Sequence, residues 1–209
     1  MAAMEDLRDL LVEELHDVYD AEHRITKALP KMRKAAGSEE LKEAFDLHLQ
    51  ETEGQIDRLE RIFALLDEPA KRKKCDGILG LIEEGDAKIG EDAHQAVLDA
   101  ALIASAQKVE HYEIASYGTM RTYAQLLGNN EVAALLEETL QEEKAADEKL
   151  TALAEAGINE AAAQGEDDED EEETPATPQR WAAAARGGSA SRRTSSGSRS
   201  SKKKGAKKK

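Results

Sequence analysis

The chain has 209 residues, 44 acidic and 29 basic, for a formal charge of −15. That charge is segregated: residues 1–159 hold 35 acids and 18 bases, 160–173 hold nine acids and no base, and 180–209 hold eleven bases and no acid. A hydrophobic fraction of 40% with only 3% aromatics and a single cysteine disfavours a β-sandwich or barrel and rules out an intramolecular disulfide or an all-cysteine metal site, leaving a helical protein rich in Ala, Leu, Glu and Lys.

Helix breakers divide residues 1–157 into long amphipathic stretches. The first is expected over about 4–36, where Leu7, Leu11, Val18, Ile25, Leu29 and Met32 fall three, four or seven apart on one stripe. Pro30 predicts a kink or a short final turn within it. The second opens at Ser38, a good N-cap, with acids at Glu39, Glu40 and Glu43 suiting the helix dipole, and runs to about Leu66. Residues 67–99 form a crossover with four glycines and an apolar piece at 78–82, read as one or two short helices. It contains Cys75 in the run KRKKCD at 71–76, either an ordinary loop thiol or one whose pKa the bases lower. The third long helix is expected over 99–127, turning at Gly128, and the fourth over 131–156, stopping at Gly157.

Two helical hairpins joined by a crossover of this length describe an all-α four-helix bundle of ferritin-like connectivity, occupying 1–157. An ordinary up-down bundle with a floppy middle loop is the alternative, but it would not need the apolar pieces of the crossover. Residues 158–209 are expected to be a disordered tail, with an acidic run at 166–173 and a Ser/Arg/Lys-rich block at 180–209. No apolar run approaches the ~20 residues of a membrane span, and the opening residues MAAMED lack the basic and apolar regions of a secretory signal. A cytoplasmic location is the expectation.

The anomaly is a set of polar residues on stripes that should be apolar. Glu22 lies between Val18 and Ile25 on the first helix. On the second, His48, Glu51 (or Thr52) and Gln55 continue the face of Leu41 and Phe45. Glu110 and Glu113 continue the stripe of Leu102 and Ala106 on the third, and Glu143 and Asp147 share a face with Leu140 and Leu150 on the fourth. Counting outward from the two turns places Glu22 level with about residue 54, and Glu113 and Glu110 level with about 145 and 148. Buried carboxylates demand protons, bases or metal, and carboxylates from four helices at matched levels are what a dinuclear site requires. The ligand candidates on these stripes are Glu22, His48, Glu51, Glu110, Glu113, Glu143 and Asp147, holding two hard cations.

The stretches LHDVYDAE at 15–22, HLQET at 48–52 with Gln55 and RLE at 58–60, VEHYEIASYGT at 109–119 and EEKAAD at 142–147 closely resemble the YciE/YciF family of ferritin-like stress proteins. The resemblance covers about residues 5–157 and implies a ferritin-like bundle, homodimers, relationship to rubrerythrins and other di-iron carboxylate proteins, and a link to oxidative and osmotic stress. Ferritin-like di-iron sites usually carry Glu-x-x-His on their second and fourth helices. Here Glu51 is followed three later by Gly54 and Glu143 by Ala146, so His48, three before Glu51, is the available histidine. Such an oxygen-rich site suits manganese or weakly held iron.

Two functions follow as expectations. One is redox chemistry at a dinuclear centre, of peroxidase, catalase-like or ferroxidase type, with Tyr19, Tyr112 and Tyr117 as nearby hydroxyls. The chain has no rubredoxin-type cysteine quartet, so a reductant would be external. The other is a non-catalytic helical dimer whose basic block at 180–209 contacts DNA without sequence preference.

Overall fold

A computed structural model describes residues 4–165, and every described element is helical. The expected disordered tail, its acidic run and its DNA-contacting block lie outside these residues, apart from the short stretch up to Gly165. Asp6 caps the first helix by accepting from the N–H groups of Arg8 and Asp9 at 2.9 Å, so α1 (Leu7–Ala35) begins slightly later than the stripe alone suggests. Pro30 is accommodated inside α1, which continues a further turn to Ala35. Ser38 caps α2 (Glu39–Leu65) through the N–H of Leu41 at 3.2 Å. Then come α3 (Asp76–Ile89), α4 (Gln95–Leu126) and α5 (Asn130–Leu153). The final helix does not end at Gly157: that glycine adopts φ 146° within a wide turn at Ala154–Ile158, and the chain resumes as α6 (Asn159–Gln164). Such a φ is open to glycine and strained for other residues.

Hydrogen bonds between the ends establish the topology. Arg8, at the start of α1, donates to the carbonyl of Leu66 at 3.0 Å, just beyond α2. Asp99, near the start of α4, accepts from the N–H groups of Gly37 and Ser38 at 2.7 Å each, in the α1–α2 turn. The crossover therefore carries the chain back along the bundle, and α2 and α4 start from the same end. Asp99 was expected at the head of the third long helix. Its carboxylate caps the neighbouring turn instead, and α4 starts four residues earlier at Gln95. Helix α1 packs on α2 and α4, α5 packs on α4 and α2, and α3 lies across α4 and α1. This is the ferritin-like arrangement with its long second connection.

The crossover is strapped to α1. Lys73 N–H donates to the His16 carbonyl at 3.1 Å, Lys73 pairs with Glu13 at 2.5 Å, and Arg72 pairs with Asp20 at 2.9 Å. Cys75 is buried, accepts at Sγ from the N–H of Ile78 at 3.3 Å, and lies 3.0 Å from the Tyr112 hydroxyl. Burial pushes this thiol up, the opposite of what neighbouring bases alone would do.

The apolar core comes in two parts. One contains Leu11, Leu15, Leu59, Ile62, Phe63, Met120 and Leu136; the other contains Ile25, Leu29, Leu41, Phe45, Ile78, Leu102 and Leu150. In every long helix the residues between these groups are polar: Glu22, then His48, Thr52 and Gln55, then Glu110 and Glu113, then Glu143. A belt of buried polar side chains crosses the middle of the bundle. Among the described residues, no helix is long and apolar enough to cross a membrane.

Candidate metal centre

Each of the four long helices contributes to the belt for a local reason. An inward stripe recurs every three or four residues, and at mid-bundle that stripe falls on Glu22, His48, Glu110, Glu113 and Glu143. Ligand atoms of His48, Glu110, Glu113 and Glu143 lie within 4.8 Å of one another, and all four residues are buried. His48 Nε2 is 3.3 Å from Glu110 and 3.9 Å from Glu143. Glu22, fully buried, joins through its carboxyl contact with Glu113 and accepts a very short hydrogen bond from the Tyr117 hydroxyl.

The other candidates stand differently. Glu51 is 32% exposed and sits 3.5 Å from His48 Nδ1, at the edge of the cluster. The inward place goes to Thr52, whose hydroxyl donates to the His48 carbonyl at 2.8 Å. Asp147 is not brought into the cluster: it accepts from Gln107 at 3.1 Å and lies 3.3 Å from the exposed His111. Of the three tyrosines, only Tyr117 reaches the belt. Tyr19 donates to Glu60 and Tyr112 to Asp17, each at 2.8 Å.

Gln55 is a buried partner that its sequence position placed on the right face without revealing a role. Its Nε2 donates to Glu143 at 2.5 Å and to Glu142 at 3.1 Å. Arg58 holds Glu142 with two bonds, at 2.8 and 3.0 Å, and also donates to Thr139 at 2.7 Å. A signal was available: Arg58 is one turn beyond Gln55, and Glu142 adjoins Glu143. Only the register between α2 and α5 shows that they meet.

Electrostatically, the cluster is under tension. Burial, reinforced by the charge of Glu143, pushes Glu22 up to about 8. Burial likewise drives Glu110 and Glu113 well above the ordinary carboxylate range, with neighbouring carboxylates adding to the effect. Burial alone would lower His48, but the charges of Glu110, Glu143 and Glu22 and its contact with Glu51 carry it to about 10. Without a cation, the belt must retain protons.

The residues fit a metal ion. Eight buried nitrogen and oxygen atoms in the belt have no hydrogen-bond partner, on Glu22, His48, Gln55, Glu110, Glu113 and Glu143. Buried polar atoms are normally satisfied, and a cation would engage many of these at once. Oxygen donors with one imidazole suit a divalent metal ion. A cavity of about 130 Å³, lined by Leu47, Glu51, Ala145, Ala146 and Lys149, reaches His48 and Glu110 from between α2 and α5.

Comparison with known proteins places this chain in a family. The Domain of unknown function DUF892 matches residues 6–163. Protein YciF of Escherichia coli K12 is 48% identical over 160 residues, which are 76% of this chain and 96% of that protein. The crystal structure of the E. coli stress protein YciF aligns with a TM-score of 0.72, covering 75% of this chain and 99% of that one. YcfI of Rhodopseudomonas palustris, named as a candidate structural protein, is 46% identical, with a TM-score of 0.69 and coverage of 70% of this chain and 94% of its own. A protein from Xanthomonas campestris, 24% identical with a TM-score of 0.60, shares the fold. The chain belongs to the DUF892 family and is similar to YciF in both sequence and structure.

Proposed function

We propose that the buried belt is a dinuclear carboxylate metal centre that handles peroxide or ferrous iron, in the stress setting that the name of the E. coli relative indicates. The observation that carries this reading is the convergence of unpartnered buried atoms from all four long helices. Glu22, His48, Glu110, Glu113 and Glu143 would hold the ions, with Glu51 orienting His48. Four carboxylates also balance two divalent cations charge for charge. Two bound iron or manganese ions would supply Lewis acidity and a two-electron couple.

The chain's own groups supply the rest. Burial raises the carboxyl groups of Glu22, Glu110 and Glu113, so protons compete with a cation for these oxygens and uptake depends on pH. Tyr117 donates to Glu22 and fixes that carboxylate's rotamer. The two apolar cores seal the belt above and below, restricting small molecules to openings such as the cavity beside Glu51.

The test is elemental analysis of protein purified without added metal, followed by loading. Two ions per chain and peroxide consumption above that of free metal are expected, with Glu110→Ala or Glu143→Ala abolishing the excess. Equal consumption by wild type and both variants would overturn the redox reading and favour a structural role, the word used of the Rhodopseudomonas palustris relative.

A further inference from the structure

Gln55 is fully buried in the belt yet carries no charge and no side-chain acid or base function. Its orientation is imposed from outside. Carboxylates only accept, so the amide must turn Nε2 toward Glu143 and Glu142, at 2.5 and 3.1 Å. Glu142 cannot drift away, because both terminal nitrogens of Arg58 hold it, at 2.8 and 3.0 Å. The amide oxygen Oε1 is thereby left buried and without a partner, among the unpartnered atoms of Glu22, His48, Glu110, Glu113 and Glu143. A glutamine held this firmly at both a carboxylate and an empty acceptor position has two consequences. It locks the Glu143 carboxylate in one orientation, and it keeps the negative charge of the belt at four carboxylates where a glutamate would make five.

We infer that Gln55 is the positioning and charge-setting residue of this centre: its amide, anchored by Arg58 through Glu142, orients Glu143 and tunes the site to a pair of divalent rather than trivalent cations. The inference rests on the metal-centre reading above. A neutral amide leaves four carboxylates opposite two divalent ions, so the loaded belt is neutral and stable within a low-dielectric interior. A fifth carboxylate would favour more highly charged ions. Loss of the amide donors would leave Glu143 free to rotate, weakening every ion alike.

Competition binding on full-length, metal-free protein separates these effects. Mn²⁺ and Tb³⁺ are titrated into wild type, Gln55→Glu, Gln55→Leu and the near-isosteric Gln55→Met, with bound metal measured per chain and folding checked by thermal melting. Wild type is expected to bind two Mn²⁺ per chain. Gln55→Glu should shift the preference toward Tb³⁺ by about tenfold, worth roughly 1.4 kcal/mol. Gln55→Leu and Gln55→Met should weaken both ions by a similar factor and leave the preference unmoved, which a merely structural role for the amide would not separate. An unchanged preference in Gln55→Glu, or wild-type affinity in both apolar variants, overturns the role of Gln55 while leaving the centre intact. Wild type that binds neither ion overturns the centre and this role together.

Discussion

Two sets of carboxylates in this bundle are equally hidden from water and behave in opposite ways. Asp20 and Asp99 are 3% and 4% exposed; Glu110 and Glu113 are 2% and 1% exposed. Asp99 is saturated by the N–H groups of Gly37 and Ser38 and by Gln95. Asp20 takes donors from Arg24, Arg72 and the N–H of Cys75. Burial works against ionisation of Asp20, yet those three donors hold its carboxyl below the usual range. The glutamates of the belt meet one another and His48, keep unpartnered oxygens, and are pushed upward. Burial alone does not mark a functional carboxylate; burial without donors does. The aspartates hold connections in place, and the glutamates form a site whose complement is a cation.

The contrast breaks first if the aspartates prove dispensable. Asp99→Ala strands two backbone N–H groups and should cost about 3 kcal/mol of unfolding free energy in urea. A loss below about 1 kcal/mol would remove the distinction between the two sets. A second test adds Mn²⁺, which at about 100 times its dissociation constant should stabilise the metal-free protein by about 2.7 kcal/mol for each site filled. Glu143→Ala should lose most of that gain while keeping its helical circular dichroism. A full gain in that variant would take Glu143 out of the centre.

A third test uses pH, and the signs differ between the sets. Glu22 rises from 4.5 to about 8 on folding, so the unfolded chain loses its proton first and metal-free stability falls as pH climbs through that window. His48, raised from 6.5 to about 10, contributes stability that is complete below 6.5 and lost as pH rises toward 10, which adds to the fall. Asp20, lowered from 3.8, contributes stability present above that value and lost as pH drops further. Melts of metal-free protein should therefore peak at about pH 4 to 5 and decline steadily toward pH 8, with saturating Mn²⁺ removing the decline. A maximum at neutral pH without metal would contradict the unpartnered state of the belt. The smallest effect belongs to Asp147, outside the cluster. Asp147→Ala should change stability by less than about 0.5 kcal/mol and leave metal stoichiometry unchanged.

The hairpins, both tight turns and the helical crossover were legible because apolar periodicity and breakers such as Gly37 and Gly128 act locally. The inward stripe also placed Glu22, Glu110, Glu113 and Glu143 in the belt, since each lies between core residues of its own helix. Legibility failed where about 100° of rotation per residue decides the outcome. Glu51 and Thr52 are adjacent, both fit the stripe loosely, and α2 turns the threonine inward. Asp147 is one turn from Glu143, but α4 offers it Gln107 and His111 on the flank. The head of α4 was misplaced for a different reason. Asp99 looks like a helix opener, and its actual partners, Gly37 and Ser38, are more than sixty residues away. The Gln55–Glu142–Arg58 chain depends on how α2 and α5 slide past each other, which neither helix encodes by itself.

The strap that ties the crossover to α1 has a kinetic consequence. Residues 71–74 are four consecutive bases, an ideal substrate for trypsin. In the folded molecule the middle of that segment is pinned by Lys73 N–H on the His16 carbonyl, by Lys73 on Glu13 and by Arg72 on Asp20. Cleavage must wait for those polar ties to open, and none of the side chains that make them belongs to either apolar core. The cutting rate at 71–74 under native conditions thus reports the local opening of one tether, in a time window separate from global unfolding. High salt, which screens the exposed Lys73–Glu13 pair, should hasten it without altering the melting of the bundle.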